Sequence, residues 1–408
     1  MKLAIVVQRY GKDIIGGAEA HARIIAQKLA ENKNWQIDVY TTTAKDYQTW
    51  KNAYTKGISY DGRVKVLRFP SIFPRFRYLF AIYKHLIYKP LKKISYLNER
   101  WGKVFEDLWF ILQGPYCPSL INELAAKQTQ YHKVFFFTYL YYPSIFGIPK
   151  IRDKAVVIPT AHDEPPLYFS RVKENFQSAA SLLVNSPKEL ALVKSLDPAL
   201  KKKISIAGVG LDPALTTNFT ASSETGPTNP YLLFMGRVGK GKEVDTLISY
   251  FLTWQSISKQ PLNLVLAGQL EKNLKIPAHP SIQYLGVVNE KTKIRLLSGS
   301  FAVVNPSPQE SLSMLVLEGI LAKKPIILNA KDPVLKSYAE AMPSVFSYAS
   351  KDDFIKRLEF LNSHQWLAIK EGALLHSEKW VQDRYSWNKV MAIYRQTINC
   401  QHVSTEPV

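Results

Sequence analysis

The sequence predicts two doubly wound α/β domains of similar size facing a central cleft. Three observations predict them. Apolar runs of strand length alternate with helical spacings through most of the 408 residues. Glycine- or proline-containing turns follow those runs. One stretch rich in Thr, Ser, Pro and Gly, 212–229, interrupts the rhythm and then lets it restart.

The first half opens with a strand over 3–8, a turn over 9–17 and a helix over 18–32. Ala18, Ala22, Ile25, Ala26 and Leu29 recur on one face of that helix. Strands follow at 37–41, 64–69, 133–137, 155–159, 181–185 and 204–207. The apolar stretch 134–149 contains prolines and Gly147 and reads as a buried strand and loop. The second half repeats the pattern. Strands are expected at 231–235, 262–267, 282–285, 301–305 and 325–328, and helices at 244–256, 291–298 and 312–322. The tail, 380–398, reads as one or two helices. The domains are therefore 1–211 and 230–384, joined by the linker 212–229. Parallel strands present their carboxyl ends to a crevice, which is where a ligand is expected.

Composition narrows the function. Lys and Arg total 53 against 33 Asp and Glu, a net charge of +20, so an anionic partner is expected. Two cysteines, Cys117 and Cys400, make no disulfide framework and suit a reducing compartment. The apolar start is too short for a secretion signal, and no run reaches the roughly 18–20 apolar residues of a membrane span. The eight histidines include no metal-spaced pair, so no metal is expected. The turn at Gly16-Gly17 lacks the third glycine of a dinucleotide fingerprint, and Gly241-Lys242 lacks a complete phosphate-loop pattern. Neither zinc-finger spacing nor an aromatic RNA-binding strand occurs, so nucleic acid is not expected.

The segment 73–103 carries eight Lys/Arg, one acid (Glu99) and many aromatic residues. It reads either as an interfacial helix on an anionic membrane or as a core helix with a solvated basic side. The expected location is cytoplasmic, with peripheral contact to the inner face of the cell membrane if this segment meets lipid.

The most informative residues are two cations and two carboxylates. Gly236-Arg237 follows the strand 231–235, and Lys242 lies five residues beyond the arginine. The strand 301–305 leads into Pro306-Ser307-Pro308-Gln309-Glu310-Ser311-Leu312-Ser313, with Glu318 eight positions after Glu310. A loop at a strand end can aim an arginine fork and a lysine at phosphate. Ser311 and Ser313 are candidate N-caps. The amides of 311–314 at a helix start form an anion site beside Glu310. For Glu318 the alternative is an ordinary solvent-facing glutamate. Glu19 has a bland reading too, a carboxylate on a helix dipole. His162, just past the strand 155–159, reads as a ligand-facing residue or as a capped turn histidine.

In order, these motifs resemble the retaining GT-B glycosyltransferases of family 4, also called glycosyl transferases group 1. The resemblance spans almost the whole chain. It is strongest over 306–328, where Pro-Ser-x-x-Glu-Ser-Leu-Ser, Glu318-Gly319 and Pro325-Ile326-Ile327 are similar to the family's E-x7-E signature. Gly236, Arg237, Lys242, Gly268, Gly286, Gly16, Gly17 and His162 fall where that family has counterparts. The resemblance implies a GT-B fold of two Rossmann-like domains, with a helix near 385–400 completing the first. It implies transfer of a sugar from a nucleotide-sugar donor to an acceptor hydroxyl with retention, in bacterial surface polysaccharide or glycolipid synthesis.

The implied roles follow the motif. Glu310 would hold donor-sugar hydroxyls, and amides of Ser311, Leu312 and Ser313 the diphosphate. Glu318 would hold the ribose. Arg237 and Lys242 would stabilise the departing diphosphate in place of a metal. His162 would stand near the reacting centre, and Gly16, Gly17 and Gly236 near the donor. The chain departs from the family at Glu243 and Ser313, where glycine is common, and at Leu312, where phenylalanine is common. The acceptor expected is a glycan or a lipid-linked glycan. The alternatives are a non-catalytic nucleotide-sugar or polyanion-binding protein of the same fold, and a GT-B epimerase or phosphorylase. A phosphorylase would want a pyridoxal-binding lysine, for which no signature is seen. The linker 212–229 is expected to serve as one hinge of domain closure.

Overall fold

A computed structural model of the chain describes residues 1–14, 16–75, 80–83, 85, 99–211, 229–258, 260–272 and 274–400. Most of the basic segment 73–103, and the linker 212–229 apart from Asn229, lie outside the described residues. The chain divides into two compact units, Met1–Gly208 with Ile393–Val408, and Val209–Ala392.

The first unit is built in the order β1 (Lys2–Val6), α1 (Gly17–Ala30), β2 (Gln36–Thr42), β3 (Gly57–Asp61), β4 (Val64–Phe69), α2 (Glu99–Gln113), α3 (Pro118–Ala126), β5 (Lys133–Phe137), α4 (Tyr142–Ile151), β6 (Ala155–Ile158), α5 (Ser170–Ser178), β7 (Ser181–Val184), α6 (Pro187–Leu196) and β8 (Ile204–Ile206). Its sheet runs β3-β4-β2-β1-β5-β6-β7-β8, all parallel except the β3–β4 pair. The central strands β1, from Leu3 on, and β5 are buried, as sheets covered on both faces require. From Ile393 onward the chain packs with this unit: the Tyr394 ring lies 5.7 Å from Phe135, and the Ile398 carbonyl lies 2.9 Å from His132 Nε2.

The second unit follows the order β9 (Tyr231–Met235), α7 (Val244–Ile257), β10 (Asn263–Ala267), β11 (Ile282–Tyr284), α8 (Glu290–Gly299), β12 (Ala302–Asn305), α9 (Met314–Leu321), β13 (Ile326–Asn329), α10 (Pro333–Ala341), β14 (Val345–Tyr348), α11 (Lys351–Leu361) and α12 (His364–Tyr385). A last helix, α13 (Trp387–Asn399), crosses the boundary between the units in sequence. The sheet is parallel throughout, in the order β11-β10-β9-β12-β13-β14. The strand order reverses between β9 and β12, where Leu232 pairs with Ala302 and Leu233 with Val303. That reversal is the topological switch point of a doubly wound sheet. Each unit is thus a Rossmann-like α/β domain.

One expectation needs correction. The residues after β5 were expected to be loop, but Tyr142–Ile151 is helical. Pro143 sits in the first turn, where a missing N–H costs nothing, and Pro149 falls in the last turn. Ile145, Ile148 and Ile151 then meet the core at helical spacing. The edge strand β3 was not foreseen at all. Ile58 and Tyr60 on it are exposed, so no burial pattern marks it. Among the described residues no helix is long and apolar enough to cross a membrane.

Candidate active site

The loops after β9, β12 and β13 meet beside the switch point. Lys242, in the turn after β9, reaches the loop after β12. Its Nζ lies 2.8 Å from Glu310 Oε1 and 2.9 Å from Ser307 Oγ, and it donates to the Gln309 carbonyl at 3.3 Å. The expected cation–carboxylate constellation is therefore in direct contact at this pair. Arg237 Nη1 lies 3.9 Å from Glu271 Oε1, a partner that the sequence did not suggest.

The Glu310 loop is fixed by buried polar side chains. Asn305 ends β12. Its amide donates to Ser313 Oγ at 2.8 Å and reaches Glu310 Oε1 at 3.4 Å, while its oxygen accepts from Ser307 N. Asn329 ends β13, and its amide donates to the Pro306 carbonyl at 2.9 Å. The Glu310 N–H donates to Asp332 Oδ2 at 2.7 Å, and the Tyr338 hydroxyl donates to the Leu312 carbonyl at 2.8 Å. A loop held at so many points can present its amides without reorganising when charge arrives.

The helix α9 begins at Met314, two residues later than expected. Ser313 occupies the N-cap position but makes no side-chain cap bond. Its backbone is left-handed (φ 62°), and its hydroxyl is taken by Asn305. Ser311 is not a cap. Among the described residues the N–H groups of Ser311, Leu312 and Ser313 have no acceptor, so they are available to a ligand at the start of the helix. Glu243 is left-handed as well (φ 50°), and its carboxylate meets Asn329 Nδ2 at 3.0 Å and Lys331 Nζ at 2.9 Å. Both positions hold a conformation that glycine adopts without steric strain. Here a polar side chain with partners occupies each.

Glu318 does not face solvent. It is 8% exposed and bonds Lys293 Nζ of α8 at 2.8 Å. Burial pushes its carboxyl pKa up, and the Lys293 ammonium pulls against that shift. Gly236 and Gly268 pack backbone to backbone: a Cβ at Gly268 would fall 1.7 Å from the Gly236 carbonyl oxygen. Gly268 N donates to the Gly286 carbonyl at 2.7 Å.

In the first unit Gly16 and Gly17 lead into α1, and Glu19 lies in the first turn of that helix as expected, with an ion pair that the sequence did not suggest. Glu19 is buried against Arg9, whose Nη2 lies 2.5 Å and Nε 2.9 Å from Glu19 Oε1. A Cβ at Gly16 would lie 2.2 Å from Glu19 Oε2, so this glycine makes room for the ion pair. No atom would approach a Cβ at Gly17 within 4 Å. His162 follows β6 in a loop that starts at the left-handed Thr160 (φ 49°). The buried Glu189 of α6 holds that loop, accepting Ala161 N at 2.6 Å and Asn185 N at 2.7 Å. Burial raises the Glu189 pKa to about 7, and those two N–H donors pull against it. Among the described residues no group of three or more His, Cys, Asp or Glu is arranged to hold a metal ion.

Lys293, Glu271, Asn329 and Glu189 had no sequence motif. Asp332 had one, an acid before Pro333 at a helix start, and it does cap α10 through Leu335 N.

Comparison with known proteins bears on the fold and the family. The fold is GT-B. Residues 216–365, which hold the loops after β9, β12 and β13, match the family described as Glycosyl transferases group 1. An uncharacterized glycosyltransferase of Methanocaldococcus jannaschii is 21% identical over 196 residues, 46% of this chain and 49% of that protein. The match thus spans about half the length of this curated relative. Among solved structures, sucrose-phosphate synthase from Thermosynechococcus elongatus superposes with a TM-score of 0.66 at 15% identity, covering 97% of this chain and 98% of that one. Anabaena Alr3699/HepE in complex with UDP and glucose superposes with a TM-score of 0.64 at 13% identity, covering 98% and 100%.

Proposed function

We propose that this chain is a glycosyltransferase that moves a sugar from a nucleotide-sugar donor to an acceptor hydroxyl, with retention at the anomeric carbon. The observation that carries this reading is the contact between Lys242 and Glu310 at the switch point, beside three backbone amides at the start of α9 that have no acceptor among the described residues. A cation and amides suit a diphosphate, and a carboxylate next to them suits the hydroxyls of the attached sugar.

As the glycosidic bond breaks, positive character grows on the sugar and negative charge on the leaving diphosphate. Arg237, Lys242 and the amides of Ser311, Leu312 and Ser313 stabilise that charge, a role a divalent metal fills in other enzymes. Glu310 accepts sugar hydroxyls once Lys242 turns to phosphate. Glu318 accepts ribose hydroxyls. Gly16, Gly17, Gly236 and His162 are assigned to the donor and the transfer step on the same reading. The acceptor is a glycan or lipid-linked glycan of surface polysaccharide or glycolipid synthesis, and the site of action is the cytoplasmic face of the membrane.

The test is a thermal-shift screen against UDP-, GDP- and ADP-sugars, followed by an assay for released nucleoside diphosphate. One nucleotide class should stabilise the fold, by about 2.7 kcal/mol at a hundredfold excess over Kd. Stabilisation without any release would assign the chain to non-catalytic binders. No stabilisation by any of the three would overturn the donor assignment.

A further inference from the structure

The helix α9, Met-Leu-Val-Leu-Glu-Gly-Ile-Leu, contains one ionisable residue, and that residue is buried. Its partner comes from a different helix. Lys293 Nζ of α8 lies 2.8 Å from Glu318 Oε1 and 2.6 Å from Oε1 of the exposed Glu290. Burial penalises the Lys293 ammonium, but the two carboxylates outweigh it and raise its pKa. Only one oxygen of Glu318 is engaged: Oε2 has no hydrogen-bond partner among the described residues. A largely buried ion pair is an inefficient way to join two helices, because apolar side chains of similar volume do so as well or better. The pair therefore calls for a role besides cohesion. Glu318 lies five residues, or ~7.5 Å, along the axis from the N-cap of α9. A nucleotide whose diphosphate sits on the α9 amides carries its ribose over that distance.

We propose that Lys293 is a positioning residue for nucleotide recognition. It grips one oxygen of the Glu318 carboxylate and thereby presents the other to a ribose hydroxyl. This rests on the donor-site reading of Glu318 above. Lys293 touches no substrate itself. Its effect is selective: it matters for a nucleotide that has the hydroxyl and not for one that lacks it.

The experiment measures binding of UDP, GDP and ADP, each with its 2′-deoxy and 3′-deoxy forms, to the full chain by calorimetry. The wild-type protein should prefer the ribonucleotide of its own base by about tenfold over at least one deoxy form, the scale of one hydrogen bond to a charged group. Lys293→Met should bring that ratio close to one by weakening the ribonucleotide about tenfold, with the deoxy form nearly unchanged. Lys293→Arg, which keeps the charge, should retain the preference. If Lys293→Met does not fold, Lys293→Leu substitutes for it, since it too can neither hydrogen-bond nor charge-pair with Glu318; it should also lose the preference. Equal weakening of ribo and deoxy forms, or an unchanged ratio, would overturn the proposal and reduce the pair to cohesion. A wild-type chain that binds ribo and deoxy forms equally overturns this inference alone. A wild-type chain that binds no nucleotide overturns the donor-site reading with it.

Discussion

The turn after the first strand carries an arginine in both units, and the two arginines are used differently. In the first unit the Arg9 side chain is 6% exposed and Glu19 opposite is 7% exposed. Arg9 also donates to the Lys45 carbonyl at 2.8 Å, and Gln8 adds a further bond to Glu19 at 2.8 Å. In the second unit Arg237 is 37% exposed at 3.9 Å from its carboxylate, and Lys242 is 22% exposed. The same topological position thus holds a sealed ion pair in one unit and accessible cations in the other. A sealed pair fixes the turn and leaves its guanidinium no room to take an anion. An accessible one can exchange its carboxylate for phosphate.

Three substitutions would break or sharpen this contrast. The largest effect is expected from Arg9→Ala, which strands the buried Glu19. It should cost roughly 3–5 kcal/mol in denaturant unfolding, and a loss within the range of a surface substitution would show that the pair is not structural. Lys242→Ala should leave stability nearly unchanged but lower turnover of the nucleotide sugar by about 10²–10³-fold. Turnover near the wild-type rate would remove Lys242 from the chemistry and with it the contrast.

Glu189→Gln probes the support of the His162 loop. The Glu189 pKa is raised from an ordinary 4.5 to about 7 in the fold, so the folded state binds more protons between those values. Stability contributed by protonated Glu189 is present at low pH and is lost as pH rises from about 4.5 to about 7, by roughly 3 kcal/mol. Relative to wild type, the glutamine variant should therefore gain stability across that window. Parallel melting curves against pH for the two proteins would exclude the shift.

The α/β rhythm was legible in the sequence because parallel strands buried on both faces leave continuous apolar runs. Tyr231–Met235 and Phe135–Phe137 were plain for that reason. Lys242 and Glu310 were legible as loop residues at adjacent strand ends. The α4 helix was hidden by its prolines, whose positions in the first and last turns only the fold reveals. Glu318 was ambiguous because a glutamate in a short apolar helix reads equally as buried or exposed until its partner is known. That partner, Lys293, lies 25 positions away on a helix that also carries Lys291 and Arg295, and nothing local distinguishes it. Glu271 and Asn329 were missed for the same reason: their roles arise where loops from different strands meet.

The contact between Gly236 and Gly268 has a mechanical side. With no space for a methyl group between them, and with Gly268 latched to Gly286, three successive turns along one rim of the sheet are geared together. Arg237 rides on the first of them. A reporter group placed beside Gly286, at the outermost strand, would register an anion arriving at Arg237 although it stands two strands away.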